Sequence, residues 1–296
     1  MAPGGGLMTP ALGNGLPGPD RVVIWFNDPG NWWGPGGLLA HAREHLVYTL
    51  VVVVLAAVVA VPAGVLIGHT GRGVAFVAGT ANALRAVPTL GLLILLIVLV
   101  SPRIHIGAGL AGVVAPGAVP YFLPVLAVLT LLAVPPILSG AYAGIRSVDP
   151  AVRDAAKGSG MTPLQVVLGV ELPCALPLLF SGVRSAVLQV IATVTVAAYA
   201  PLVGGLGRLI VDGQQNLADP RYGYPAMVAA GIAVAVLAVT ADALLGRARR
   251  LLVSPGLVPA PDPAVRRRTA PASYRPRIHH VSRNGAAGAP APKDPA

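Results

Sequence analysis

The composition of this 296-residue chain is that of a membrane protein, because 55% of its residues are hydrophobic and only 11% are charged. Soluble domains carry about 25% charged residues. The net charge of +10 would suit nucleic acid, but ten of the 21 basic residues lie from Arg247 onwards, behind the last apolar run. The single cysteine, Cys174, excludes an internal disulfide bond and argues against a metal cluster. We therefore expect an integral membrane protein without a nucleic-acid partner.

The first 45 residues precede the apolar part of the chain. Residues 1–20 are rich in Gly, Pro and Ala and predict a disordered start, since no basic segment precedes an apolar core as in a signal peptide. The three tryptophans follow at Trp25, Trp32 and Trp33. They suit either a segment at the membrane interface or a small packed cap on the outer loops. Residues 38–45 predict a short interfacial helix.

Five apolar stretches come next, and a membrane helix needs about 20 such residues. They are residues 46–68, 82–101, 119–143, 178–203 and 222–241. Arg85 in the second stretch must reach an interface with its long side chain. Pro135 and Pro136 in the third predict either a packed kink or a broken helix that lines a cavity. We expect residues 46–250 to form an all-α transmembrane domain with about five spans.

Two other regions are predicted to lack regular structure. Residues 204–221 begin with a Gly-Gly-Leu-Gly sequence and continue as a polar stretch, which favours a flexible loop. Residues 251–296 are rich in Pro, Ala and Arg and include three consecutive arginines at 266–268. This composition predicts a disordered, basic cytoplasmic tail that anionic lipid would attract.

A polar segment, residues 149–173, separates the third and fourth apolar stretches and begins with one short helix. Asp149 is a favourable N-cap and Pro150 a favourable first helical residue. Gly158 or Gly160 can end this helix in the left-handed conformation.

A second short helix follows in the same segment. Thr162 would cap it, and Gln165 stands at the capping-box spacing. Leu164, Val167 and Leu168 would form its apolar face, and Pro173 and Pro177 are expected to bend the chain into the next span. By these features alone, a capped solvated loop and a functional helix–turn–helix are about equally well supported.

The sequence of residues 149–173 resembles the EAA motif of ABC importer permeases. That motif reads Glu-Ala-Ala, three residues, Gly, nine residues, Ile, any residue, Leu-Pro. Asp replaces the Glu and Val replaces the Ile, while the spacing is intact. The resemblance implies a cytoplasmic coupling helix that docks in a groove of a separate ATPase subunit. The residues that would carry this coupling are Asp154, Ala155, Ala156, Gly160, Val170, Leu172 and Pro173.

Three further stretches resemble the glycine betaine, carnitine, choline and proline group of these permeases. They read N-A-L-R-A-V-P-T-L at 82–90, A-L-P-L-L-F-S-G-V-R-S-A-V at 175–187 and A-A-Y-A-P-L-V-G-G-L-G-R at 197–208. Arg85 and Pro201 depart from that group, and methionine-type permeases share parts of the pattern. The resemblance implies a type I, MetI-like permease fold. It also implies ATP-driven import of a small quaternary-amine osmolyte by alternating access, with a methionine-type amino acid or another small solute as the alternative.

The resemblance also implies partners and a bacterial plasma membrane. They are an ABC ATPase subunit carrying ATP and Mg²⁺, an extracytoplasmic solute-binding protein, a second permease subunit (identical or similar), and lipid. The sequence itself also favours ATP binding on a separate subunit. The only lysines, Lys157 and Lys293, follow Ala156 and Pro292, so the chain has no Gly-Lys of a P-loop. We expect a transport subunit with no catalytic residues, no metal site and no cofactor of its own.

A stand-alone channel or carrier remains as an alternative of a different class, and a membrane enzyme is the weakest reading. A proton- or ion-coupled carrier needs ionisable groups at mid-membrane, whereas Asp242 is the only acid near a span and lies at an end. Gln189, Thr193 and Tyr199 are polar positions in the fourth span. They would either line the solute path or join neighbouring helices.

Orientation follows from the coupling motif and the tail. With the motif inside, the N-terminus lies outside and the C-terminus inside, and basic residues divide 16 inside to 5 outside. Without the tail the division is 6 to 5, so the short loops add little to this prediction.

Overall fold

The long regular elements in the described part of the chain are helices. The computed structural model describes residues 19–75, 77, 79, 83, 86–106, 109 and 114–253. These residues include the α-helices α1 (Pro19–Asn27), α2 (Leu38–Thr70), α3 (Thr89–Val100), α4 (Val119–Arg146), α5 (Pro150–Gly158), α6 (Pro163–Val166), α7 (Leu172–Ala197), α8 (Leu206–Gln215) and α9 (Gly223–Leu252). A π-helical turn, Val167–Glu171, joins α6 to α7.

Four helices are long and apolar enough to cross a membrane. They are α2, α4, the continuous helix Pro163–Ala197 and α9. The second predicted span is described in its second half, as the short apolar helix α3, while Asn82 and Arg85 lie outside the described residues. An all-α membrane fold is therefore confirmed. The predicted tail lies outside the described residues from residue 254 onwards.

Several helices extend past the ends of the predicted spans, because they continue beyond the polar residues that marked those ends. The first span begins at Leu38, so the expected interfacial helix 38–45 is its first two turns. The last span runs through Asp242 and three arginines to Leu252. A charged residue outside the hydrocarbon costs a helix little, so charge marks the edge of the bilayer rather than the end of the helix.

The core of the bundle lies where α2, α4 and α7 pack together. Their buried side chains are mostly Val, Ala, Leu and Ile, with Tyr48 of α2 against Phe122 of α4 at a ring-centroid distance of 5.0 Å. At the middle of the α4–α7 contact, Gly140 faces Gly182. A Cβ atom on Gly182 would lie 2.6 Å from the carbonyl oxygen of Pro136 and 3.0 Å from Cα of Gly140. The two backbones therefore touch, as is typical where small residues meet between membrane helices.

A second cluster joins α1, α8 and α9. Trp25 is buried there with Leu206, Leu209 and three alanines of α9. The indole N–H of Trp32 donates to the carbonyl of Phe26 at 2.7 Å. The flexible loop predicted at 204–221 is wrong in its first half, because α8 forms there with its apolar side packed against α1 and α9. The polar residues of this stretch lie on the other side of an amphipathic helix.

Replacing Gly182 by Ala should force α4 and α7 apart. We expect the free energy of unfolding to fall by about 1–3 kcal/mol, the range for an added methyl group in a tightly packed site. The measurement is the thermal unfolding temperature of the purified chain in detergent. The matched control is Gly231→Ala in α9, whose new methyl group would have no neighbour within 4 Å. Equal unfolding temperatures for the two variants would contradict the backbone contact.

Candidate functional site: the segment between α4 and α7

Local capping builds the first helix of the segment as its sequence predicts. The carboxylate of Asp149 accepts the N–H of Ala151 at 2.8 Å, and Pro150 is the first residue of α5. The helix ends at Gly158, and Gly160 has a φ of 86°. This φ lies in the left-handed region that favours glycine. The turn between the two short helices therefore depends on Gly160.

The second helix begins as predicted but does not end there. Thr162 and Gln165 form a reciprocal capping box, with Thr162 N–H donating to Oε1 of Gln165 at 2.7 Å. Pro173 and Pro177, where a bend was expected, do not interrupt the helix, since α6, the π turn and α7 form one helix of 35 residues. In the π turn the N–H of Leu172 donates to the carbonyl of Val167, five residues back. Pro173 lies just after the π turn, inside this continuous helix, and has no N–H to donate.

The two halves of the motif lie in different surroundings. Asp154 and Ala155 are exposed on α5, with Asp154 at 3.8 Å from Lys157, and Gly160 is exposed in the turn. Ala156 is buried. The second half forms the end of the π turn and the start of α7, where Val170, Leu172 and Pro173 are half-buried. Because α5 contacts both α6 and the π turn, the two halves pack together.

Apolar side chains project outwards from the same segment. Leu164 and Leu168 are 66% and 57% exposed, and they lie one helical turn apart. Val152 on α5 is also exposed. We call these three residues the apolar docking patch. A single exposed apolar residue is common, whereas several on one short capped segment make that segment a candidate surface for another protein.

A buried carboxylate beneath this surface has no counterpart among the predicted site residues. Glu171, the last residue of the π turn, is 0% exposed. Its Oε2 lies 2.9 Å from Nδ1 of His69 at the end of α2, and its Oε1 lies 2.8 Å from Nε of Arg153 on α5. The signal in the sequence was a lone acid between Val170 and Leu172, inside an apolar run.

The three polar residues proposed to line a pathway make the following hydrogen bonds. Gln189 is exposed on α7, and its amide donates to the carbonyl of Leu132 at 3.0 Å. That carbonyl lacks its helical donor because residue 136 is proline. The hydroxyl of Thr193 bonds to carbonyls of its own helix. Tyr199 lies beyond the end of α7 and bonds to Gln214 of α8 at 3.0 Å.

Comparisons with known proteins identify the family. Residues 60–252 match the model of the binding-protein-dependent transport system inner membrane component. The chain is an inner membrane component of this transport family. It is 32% identical to the choline transport system permease protein OpuBB of Bacillus subtilis (strain 168), over 75% of this chain and 91% of that one. The permease is also 33% identical to the osmoprotectant import permease protein OsmW of Salmonella typhimurium, over 75% and 94% of the two chains.

The fold of the permease agrees with that of a solved transporter. A chain of the inward-facing MetNI methionine ABC transporter matches with a TM-score of 0.58 and 22% identity, covering 73% of this chain and 96% of that one. The likeness establishes the type I permease fold expected from the sequence. Within the described residues, no group of three or more His, Cys, Asp and Glu side chains is placed to hold a metal ion.

Two polar contacts hold other parts of the permease together. Arg184 of α7 and Asp242 of α9 form a bidentate pair, with Nε–Oδ1 and Nη2–Oδ2 distances of 2.5 and 2.6 Å. At the other end of the bundle, Glu44 of α2 accepts the N–H of Gly205, the N-cap residue of α8. Neither pair was predicted, because its members lie 58 and 161 residues apart.

Replacing Gly160 by Ala should loosen the segment without blocking space, since no atom lies within 4 Å of the added methyl group. The cost is that of a left-handed backbone for an L-residue, about 1–2 kcal/mol. We expect faster amide hydrogen exchange across residues 150–166 of the purified permease.

The matched control is Gly158→Ala, two residues earlier. Its methyl group also meets open space, but its φ is not in the left-handed region. Exchange should be unchanged or slower, since Ala gains about 0.5–1 kcal/mol over Gly in a helix. The same acceleration in both variants would contradict the role assigned to the φ of Gly160.

Proposed function

We propose that this chain is the membrane-spanning subunit of an ATP-driven ABC importer for a small quaternary-amine osmolyte. The solute class comprises glycine betaine, choline, carnitine and proline-type osmoprotectants. The transport step is alternating access, in which the permease switches between inward- and outward-facing states. The observation that carries the proposal is the exposed, capped segment with the EAA-like spacing between α4 and α7.

The architecture of this segment supports docking to an ATPase subunit. Its caps hold two short helices in place without burying their outer faces, so the apolar docking patch and Asp154 are available to a partner. Burial of exposed apolar area is a general source of binding free energy between proteins. We propose that ATP and Mg²⁺ bind on that partner, and that Asp154, Ala155, Ala156, Gly160, Val170, Leu172 and Pro173 form or support the docking surface.

Further partners follow from the proposed mechanism. Four candidate spans and α3 are few for a complete pathway, so a second permease subunit would complete it. An extracytoplasmic solute-binding protein would deliver the solute, and an aromatic cage for a quaternary ammonium group would belong to that protein. We propose that the coupling segment and the C-terminus face the cytoplasm of a bacterial cell. Support comes from α9, which ends in Arg247, Arg249 and Arg250.

The solute class is supported by the relatives rather than by a binding site. Permeases named for choline, carnitine and osmoprotectant transport align over about three quarters of this chain at 31–33% identity. A methionine-type solute is the second candidate, because the matched solved structure is a methionine transporter. A stand-alone channel is the alternative of a different class, and it would leave the apolar docking patch without a partner.

The test of ATPase docking is recovery of the tagged chain from its native membrane in mild detergent, with mass spectrometry of the co-purified proteins. We expect a P-loop ATPase in near-equal amount. Leu164→Glu places a charge in the docking patch and should reduce the recovered ATPase by about tenfold or more, since a charge buried without a partner costs several kcal/mol. The control is Leu217→Glu, an equally simple change at a half-exposed leucine between α8 and α9.

Recovery of the folded chain without any ATPase would refute the importer class and favour a channel. Equal ATPase recovery with the two leucine variants would place the docking surface elsewhere.

The solute is tested by uptake in cells that lack their own osmoprotectant importers and express the complete transport system. We expect saturable, ATP-dependent uptake of labelled glycine betaine, choline or carnitine, and competition among them, since their quaternary ammonium groups are recognised alike. Labelled methionine in the same cells is the matched alternative. Methionine uptake without uptake of any quaternary amine would assign the permease to the second candidate class.

A further inference from the structure

Glu171 connects three separate elements at the coupling end of the bundle. It belongs to the π turn, while His69 lies in the last turn of α2 and Arg153 on α5. Both carboxylate oxygens are in use, Oε2 with Nδ1 of His69 and Oε1 with Nε of Arg153. Arg153 also donates from Nη2 to the carbonyl of Ile145 near the end of α4. The carboxylate is therefore the shared member of this group.

The two partners of Glu171 contribute different interactions, an ion pair from Arg153 and a hydrogen bond from His69. A charged carboxylate that is fully buried needs a positive partner, and Arg153 supplies a permanent one. Its Nε–H is not aligned for a hydrogen bond to Oε1, so this contact is an ion pair. A carboxylate only accepts hydrogen bonds, so Nδ1 of His69 carries the proton and donates to Oε2 at 2.9 Å. His69 thus adds a directional link that neutralisation of the charge does not require.

That link reaches a different part of the bundle. Arg153 and Glu171 both lie between α4 and α7, within the segment that carries the apolar docking patch. His69 belongs to α2, which packs along α4 and α7 in the core. Among the residues that the structure describes, His69–Glu171 is the one side-chain hydrogen bond between α2 and residues 149–173. Movement of the segment can reach the end of α2 directly through this bond.

We propose that the His69–Glu171 hydrogen bond is the positioning contact through which the coupling segment moves α2 during transport. The inference rests on the proposed function. His69 and Glu171 touch neither solute nor nucleotide in this role. Their function is to hold α2 to the segment, so that a displacement of the docked helices becomes a displacement of a core helix. Without the bond, ATP hydrolysis continues but drives less solute across the membrane.

The experiment uses the complete transporter in proteoliposomes and measures solute uptake and ATP hydrolysis in the same vesicles. His69→Leu keeps a branched side chain of similar width but removes the donor. Glu171 keeps its charge partner Arg153 in this variant, so the buried carboxylate stays compensated. We expect uptake per ATP hydrolysed to fall by about tenfold, within the range by which substitutions in coupling networks act, while the ATPase remains bound in the normal ratio.

A second variant separates hydrogen bonding from packing. His69→Asn places an amide nitrogen at the same distance along the side chain as Nδ1, and it can donate to Glu171. We expect uptake per ATP to return to within about threefold of the unsubstituted permease, as a restored donor would predict. The control for loss of an ion-paired group is Asp212→Asn on α8, which removes the partner of Arg208 at the other end of the bundle. It should leave uptake per ATP unchanged.

Normal uptake per ATP in His69→Leu would overturn the proposal. So would an Asn variant no better than the Leu variant, because the ring would then act by packing. Loss of ATPase binding in His69→Leu would show that the contact only maintains the fold of the segment, and this also overturns the proposal. The unsubstituted chain is measured first. If it binds no ATPase, the proposed function itself fails and the inference falls with it, a result distinct from any variant outcome.

Discussion

A backbone carbonyl or N–H beside a proline or at a helix end has no partner within its own helix, and several polar side chains of this permease answer that constraint. Pro136 leaves the carbonyl of Leu132 without its helical donor, and Gln189 of a neighbouring helix supplies one. Arg153 donates to the carbonyl of Ile145 near the end of α4. Glu44 meets the opposite need, accepting the free N–H at the start of α8. Polar side chains are scarce here, and several are used to complete the backbone hydrogen bonding of a helix to which they do not belong.

The same constraint applies to α4, which contains prolines and is still continuous. Three prolines lie inside it, yet it continues from Val119 to Arg146, and Gln189 compensates for the hydrogen bond lost at Pro136. The π turn before α7 achieves a similar result at the coupling segment. It lets one helix contain the second half of the motif and a membrane span, with Glu171 directed into the interior. Docking surface and core are therefore parts of one continuous element.

The sequence predicted the caps and turns that form between residues close together in the chain. It did not predict the side-chain contacts between residues far apart in the chain. Asp149, Gly160 and the Thr162–Gln165 box do what their spacing indicates, because caps and turns are made within a few residues. The helices extend past the predicted spans, since charge marks the bilayer edge and not the end of a helix, and α9 continues past Asp242. The links of Glu171 to His69 and of Arg184 to Asp242 join residues 102 and 58 positions apart. No pattern in a single sequence pairs them, and the roles of the motif residues and of Gln189, Thr193 and Tyr199 stay predictions.

The length of α2 has a consequence for the membrane around it. Its 33 residues extend about 50 Å at 1.5 Å per residue, against about 30 Å of hydrocarbon in a typical bilayer. Both ends of the helix must then stand in the headgroup layers, and the bonds from Glu44 to Gly205 and from His69 to Glu171 lie at those ends. A thinner bilayer would leave more of each end in water and ions or tilt the helix, and a thicker one would draw the ends towards the hydrocarbon. The strength of both links is thus tied to the thickness of the lipid in which the permease is embedded.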